Sequence, residues 1–135
     1  MFTIIIAAIA SFVFGFLWYG PLFGKQWMSL MKMTPEDIAK GREQMGGFAG
    51  MARPMAISFI CSLITAWVVK YLLPLSAAVS FGGFFHVILL VWLGFLLPLN
   101  MNGYLWERKS LKLTLFNCAY SILSFLLVSA IVYYW

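Results

Sequence analysis

Charge is what this sequence has least of. Of 135 residues, four are acidic and nine basic, 10% in all, where a soluble chain draws about a quarter of its residues from Asp, Glu, Lys and Arg. So few charges cannot coat a soluble fold, which excludes a soluble enzyme. The same scarcity excludes a secreted disulfide scaffold, and two Cys with one distant His make no zinc site. All four acids lie outside the long apolar runs. General acid–base catalysis has almost nothing to work with, and there is no nucleophile–base–acid set, no glycine-rich phosphate loop and no pair of intramembrane carboxylates. The chain reads as a non-enzyme.

What is present is hydrocarbon. The chain is 64% hydrophobic and 19% aromatic, with a mean hydropathy of +0.96, which places it in a bilayer. Phe2–Tyr19 carries no charge, and roughly 18 residues at about 1.5 Å each just cross the hydrocarbon. Pro54–Leu73 is a second span, with Lys70 near its end where the ammonium can reach the interface. A third runs from about Ala77 to Leu97, and a fourth from Leu111 to Trp135, ending in the interfacial aromatics Tyr133, Tyr134 and Trp135.

Lys25, Lys32, Lys40, Arg42 and Arg53 fall between spans 1 and 2, and Arg108, Lys109 and Lys112 between spans 3 and 4. The positive-inside rule puts these loops in the cytoplasm and both termini outside, as expected of a multi-pass membrane protein. Nothing basic precedes Phe2 except the amino terminus, so the first span reads as a retained anchor rather than a signal peptide. The basic excess therefore orients a membrane protein, and no nucleic-acid partner is expected. Within the first loop, Thr34-Pro35-Glu36-Asp37 is a helix start, with a hydroxyl cap, proline at the first helical position and acids on the positive end of the dipole. A short helix over about 34–45 follows, ended by Gly46-Gly47. It either lies on the interface through Trp27, Met28, Met31, Ile38 and Met45 or serves as a solvated connector.

Gly15-Phe16-Leu17, Gly24 and Trp27 recur as Gly94-Phe95-Leu96, Gly103 and Trp106, five identities at one offset of 79. Each copy has a proline in its gap, Pro21 and Pro98, where the helix is expected to stop. A weaker echo links Phe59-x-Cys61 to Phe116-x-Cys118. Read as duplication, this gives tandem helix-pair repeats over about 1–75 and 76–135, both entering the membrane in the same direction. Chance coincidence in so biased a composition is the alternative. The predicted fold is thus all-α and a single domain over 1–135: a four-helix transmembrane bundle of two parallel repeats, with a short interfacial helix in the first cytoplasmic loop.

Close packing in lipid depends on small residues. Ala7, Ser11 and Gly15 recur at i, i+4 on span 1, and Ser58, Ser62 and Ala66 on span 2 with Thr65 alongside. Gly83, His86, Leu90 and Gly94 share a side of span 3, as do Thr114, Asn117, Ser121 and Ser124 on span 4. These stripes suit either burial between helices, including those of a second copy or another membrane subunit, or the lining of a narrow polar pathway. His86, Asn117, Ser62, Thr65 and Ser121 are the candidate polar site. His86 is the only interior group able to titrate near neutral pH, unless a serine, Asn117 or a carbonyl simply satisfies it. Cys61 and Cys118 lie at similar depth and could be neighbours. No cofactor is evident, although aromatic helices can also pack against a bound lipid, a pigment or a quinone.

The stretch Leu17-Trp18-Tyr19-Gly20-Pro21-Leu22-Phe23-Gly24-Lys25-Gln26-Trp27-Met28, with Thr34-Pro35-Glu36-Asp37, resembles the opening of a family of small bacterial membrane proteins catalogued as domain of unknown function 1761. Leu105-Trp106-Glu107-Arg108, Lys112-Leu113, Phe116-Asn117 and Ala119-Tyr120 resemble its second signature. The resemblance implies a four-helix integral membrane protein of this size and carries no activity or functional residue to transfer. A glycine often stands near Cys118 and Ala119 in that family, and the cysteine here argues against an essential thiol. The leading expectation is a protein acting through helix packing, as a self-associating bundle or an accessory subunit. The alternative is a small-solute transporter or channel with His86 as its titrating residue.

Overall fold

Residues 1–135 are all described by a computed structural model. Four helices are long and apolar enough to cross a membrane: α1 (Phe2–Leu22), α4 (Gly47–Leu75), α5 (Phe81–Leu105) and α6 (Leu111–Tyr134). Two short helices, α2 (Gly24–Met31) and α3 (Pro35–Gln44), fill the first loop. The start of α3 is built as its sequence dictates: Thr34 Oγ1 accepts from the Asp37 N–H at 3.2 Å and Asp37 returns a carboxylate to the Thr34 N–H at 2.8 Å. These exposed hydrogen bonds hold the Asp37 carboxyl below the usual aspartate range, the Thr34 backbone bond being the larger cause. α2 forms where the sequence suggests only a connecting segment. It ends where Lys32 turns left-handed, at φ 56°.

Two boundaries differ from the sequence reading. Gly46, at φ 92°, ends α3, and α4 starts immediately at Gly47, well before Pro54. At 29 residues, α4 is roughly 44 Å long, so its first turns extend beyond the hydrocarbon on the basic side. This tight junction requires glycine at position 50 as well, because a side chain there would be driven into the Met45 carbonyl. The second correction concerns Pro98. It does not stop α5, which continues to Leu105. A widened turn over Trp92–Leu96 precedes it and loosens the i→i−4 ladder that a proline ring would otherwise strike. Pro21 sits in a similar wide turn, Trp18–Leu22, where Gly20 takes φ −109° and ψ −106° and the Phe23 N–H reaches back to the Trp18 carbonyl at 3.1 Å. There the helix does end.

α6 is the centre of the bundle. α1 packs on α4 and α6, α4 also meets α6, and α5 leans on α6 with only sparse contact to the other spans. The buried apolar core is Ala7 and Ala8 of α1, Ala66 and Val69 of α4, Phe84 and Ile88 of α5, and Phe125, Val128 and Val132 of α6. All nine lie in the half of the bundle away from the basic loops. There Thr3 donates to the Trp135 carbonyl at 3.3 Å, joining the chain ends. The half nearer the basic loops is filled by rings instead. Trp18 is the hub, with Phe23 at 4.6 Å, Phe116 at 5.4 Å, Phe14 at 5.7 Å and Tyr120 at 6.1 Å. The chain has a single ion pair, Lys109 to Glu107 at 2.6 Å.

Candidate intramembrane site

Because α4 and α5 scarcely touch, a groove remains between them, floored where α1 meets α6. It is an open cleft of about 750 Å³. Its walls carry six of the nine serine and threonine hydroxyls in the four spans. Ser11 and Gly15 come from α1, Ser58, Cys61, Ser62 and Thr65 from α4, and Tyr120, Ser121 and Ser124 from α6, with Leu96 the contribution of α5. Met45, Met51, Pro54 and Met55 surround the end nearest the basic loops. Each side chain is there for a local reason. The i, i+4 spacing of Ser11 and Gly15 brings small groups against α6, and the wide turn in α5 aims the Trp92 indole across to Ser121.

Most hydroxyls on the groove have a partner, as hydrocarbon demands. Ser62 donates to the Ser58 carbonyl at 3.1 Å and Thr65 to the Cys61 carbonyl at 3.0 Å, both within α4. Ser11 and Ser124 bond to one another at 3.0 Å between α1 and α6. Ser121 accepts from Trp92 Nε1 at 2.8 Å and donates to the Cys118 carbonyl at 3.0 Å. An oxygen bonded to its own helix keeps lone pairs free, so the wall can still accept from a guest. No three His, Cys, Asp or Glu side chains converge anywhere in the chain. What the groove offers is apolar surface with a few hydroxyl acceptors.

The polar candidates from the sequence divide between several places. Ser62, Thr65 and Ser121 meet at the groove. Asn117 stands apart, accepting from the Tyr19 hydroxyl at 2.9 Å. His86 is exposed on α5, outside the groove, with no hydrogen bond to the protein. Cys61 faces the groove while Cys118 is buried in α6. Among the packing positions, Ala7 and Ser11 are buried and Gly15 touches Tyr120. Ser58, Gly83 and Gly94 are exposed.

The two copies of the repeat motif have different surroundings. Gly24 lies where any Cβ would meet the Tyr19 carbonyl at 2.9 Å, and Trp27 sets its ring edge-on to Tyr19 at 5.9 Å. Gly103 is instead covered by the Lys109 stem, and Trp106 is 82% exposed. Sequence reasoning places Ser124 on the polar stripe of span 4, and the structure brings it to the groove; it missed the groove contribution of Tyr120 and the Trp92–Ser121 bond. The clustering of Tyr120 with Ser121 and Ser124 on one arc of α6 is the available signal.

No curated protein and no solved structure matches the chain. One family model does, over residues 2–133, and its description is a protein of unknown function, DUF1761. That match takes in both signatures, the loop helices and all four spans, so the chain belongs to the DUF1761 family of proteins of unknown function.

Proposed function

We propose that this membrane protein acts without catalysis, by packing against other membrane helices, and that its first partner is a second copy of itself. The observation that carries the reading is the outer face of α5. Gly83, His86, Leu90 and Gly94 share it, and all four are exposed on a span that packs mainly on α6. An imidazole facing hydrocarbon without a partner is costly, and a Cβ at Gly94 would meet nothing within 4 Å. A facing helix could approach closely at the glycines and supply His86 with an acceptor. The absence of acidic residues from the four spans supports a role without acid–base chemistry. The same reading sets the protein in a bacterial inner membrane, with the basic loops in the cytoplasm and both termini outside.

The test is a count of labelled copies per particle by single-molecule photobleaching in vesicles, for the wild type and for Gly94→Ile. Dimers that dissociate in the variant are the expected result. A chain that is solitary both in vesicles and in its native membrane sinks the proposal, and recovery of one different protein in fixed ratio would instead make it an accessory subunit. Cysteine labelling that reaches Lys40→Cys only from inside and Trp135→Cys only from outside is the outcome required by the orientation.

A second reading, a small-solute transporter or channel, is favoured by the groove. It routes the solute past the hydroxyls of Ser11, Ser62, Ser121 and Ser124. His86 serves as its titrating residue only where the outer face of α5 also borders a path between copies. Proton-linked flux in liposomes that disappears in His86→Ala supports that arrangement, and flux indifferent to the substitution removes it.

A further inference from the structure

Where α2 lies against the beginning of α6, a shallow, largely open cavity of about 600 Å³ is lined by Lys25, Gln26, Ser29, Leu30, Lys112 and Phe116, the four polar side chains being exposed. Its chemistry differs from that of the groove. Four of the six side chains are polar, and two of them are cations delivered by separate helices. Neither lysine has a carboxylate partner, since the one ion pair joins Lys109 to Glu107.

The placement of these lysines is electrostatically unfavourable as it stands. Lys25 is the second residue of α2 and Lys112 the second residue of α6, and neither helix has an acid in its first turn. Each ammonium is added to the positive end of a helix dipole, where an acid would normally stand. α3 shows the ordinary solution within the same loop, with Glu36 and Asp37 in its first turn. The cavity thus gathers two lysines and two helix starts of one sign, together with an amide and a hydroxyl able to donate. A bound anion would answer all of them.

Two further features fix the kind of anion. The cavity stands at the level where the spans leave the hydrocarbon, since α1 ends at Leu22 and α6 begins at Leu111. Its remaining walls, Leu30 and Phe116, are apolar, and Phe116 belongs to the ring cluster around Trp18. A ligand that fits has a negative head at interface depth and hydrocarbon below it. We propose that this cavity binds the phosphate of an anionic phospholipid, with Lys25 and Lys112 on its oxygens, Gln26 and Ser29 donating beside them, and the glycerol and upper acyl carbons against Leu30 and Phe116. Basic pockets of this kind beside membrane helices hold lipid headgroups by the same physics. The site is independent of self-association through α5.

Native mass spectrometry of the detergent-purified protein, titrated with phosphatidylglycerol and with phosphatidylcholine, tests it. The wild type should prefer phosphatidylglycerol. Lys25→Gln and Lys112→Gln should each lower that preference roughly fivefold, as expected for about one interfacial lysine contact, and the double variant should abolish it. The Lys25→Arg/Lys112→Arg pair should keep it, and so should Lys40→Gln/Arg53→Gln, which removes basic-side charge outside the cavity. No preference in the wild type, an unchanged preference in both single variants, or an equal loss in Lys40→Gln/Arg53→Gln overturns the site. Displacement of phosphatidylglycerol by millimolar glycerol phosphate would show that the cavity reads a soluble phosphate, and would overturn its assignment to lipid. The single variants keep the test decisive if the double variant does not fold.

Discussion

Tyr120 closes over the backbone of Gly15: a Cβ at position 15 would meet its hydroxyl oxygen at 2.7 Å. The ring has little freedom to yield. It stacks on Phe14 with centroids 5.7 Å apart and meets Tyr19 edge-on at 4.9 Å, so α1 and α6 are fixed to one another at this point.

Gly15→Ala therefore sets two effects against each other. Alanine favours a helix by about 0.5–1 kcal/mol over glycine, whereas overpacking costs typically about 1–3 kcal/mol. Net destabilisation of roughly 1 kcal/mol is expected. Tyr120→Phe removes the obstructing oxygen, and the Gly15→Ala/Tyr120→Phe double variant should be more stable than the two single changes sum to. A thermal or denaturant cycle in detergent checks this, and strict additivity would contradict the contact.

The hydrogen bond from the Tyr19 hydroxyl to Asn117 Oδ1, 2.9 Å long, joins the same two spans one turn nearer the basic loops. Interhelical hydrogen bonds in membranes contribute about 0.6 kcal/mol on average and up to about 2. Asn117→Leu is expected to cost about 1 kcal/mol, with a coupling energy to Tyr19→Phe near the average. No measurable coupling would place this bond outside the energetics of the bundle.

At the start of α3 the pH dependence has a definite sign. The Asp37 carboxyl is lowered by its hydrogen bonds to Thr34, so the unfolded helix start binds a proton more readily than the folded one. The capping contribution is complete above the ordinary aspartate pKa and is lost as pH falls through the depressed folded value. Amide exchange at residues 36–38 should accelerate relative to its intrinsic rate over that acidic interval in the wild type. In Asp37→Asn the acceleration should be absent.

Gly50→Ala is expected to be among the most damaging single changes in the loop, since the added carbon would overlap the Met45 carbonyl. Backbone atoms cannot step aside as a flexible side chain can, so the α3–α4 junction must open. Spin labels on Lys40 and Ala56 should report a changed distance, with a loss of roughly 2 kcal/mol or more in stability. An unchanged distance would show that the junction has slack.

The four spans, the Thr34 cap and the small-residue face of α1 were legible because each depends on a local rule. Transfer free energy selects Phe2–Leu22, a hydroxyl and two acids select the start at Pro35, and Ala7, Ser11 and Gly15 lie at a helical period. The missing pieces depend on neighbours. Nothing in hydropathy tells Gly83 or His86 which side of α5 meets α6, because lipid accepts an apolar helix from any direction and the usual contrast between wet and dry faces is lost. Pro98 looked like a terminus since its cost is local, whereas the widened turn that accommodates it involves Trp92 reaching Ser121 on another span. The groove was hidden for the same reason. Its hydroxyls were individually visible, but the gap that assembles them exists only because α4 and α5 stay apart.

The solitary Glu107–Lys109 pair has a practical meaning. The two residues are adjacent in the chain but for Arg108, so their attraction holds no helix to another. Screening by salt weakens exposed charge contacts and leaves buried apolar and hydroxyl packing nearly untouched. Ionic strength should therefore act as a scalpel on this molecule: molar salt ought to loosen whatever gathers at its cationic rim while the four-span body keeps its melting temperature.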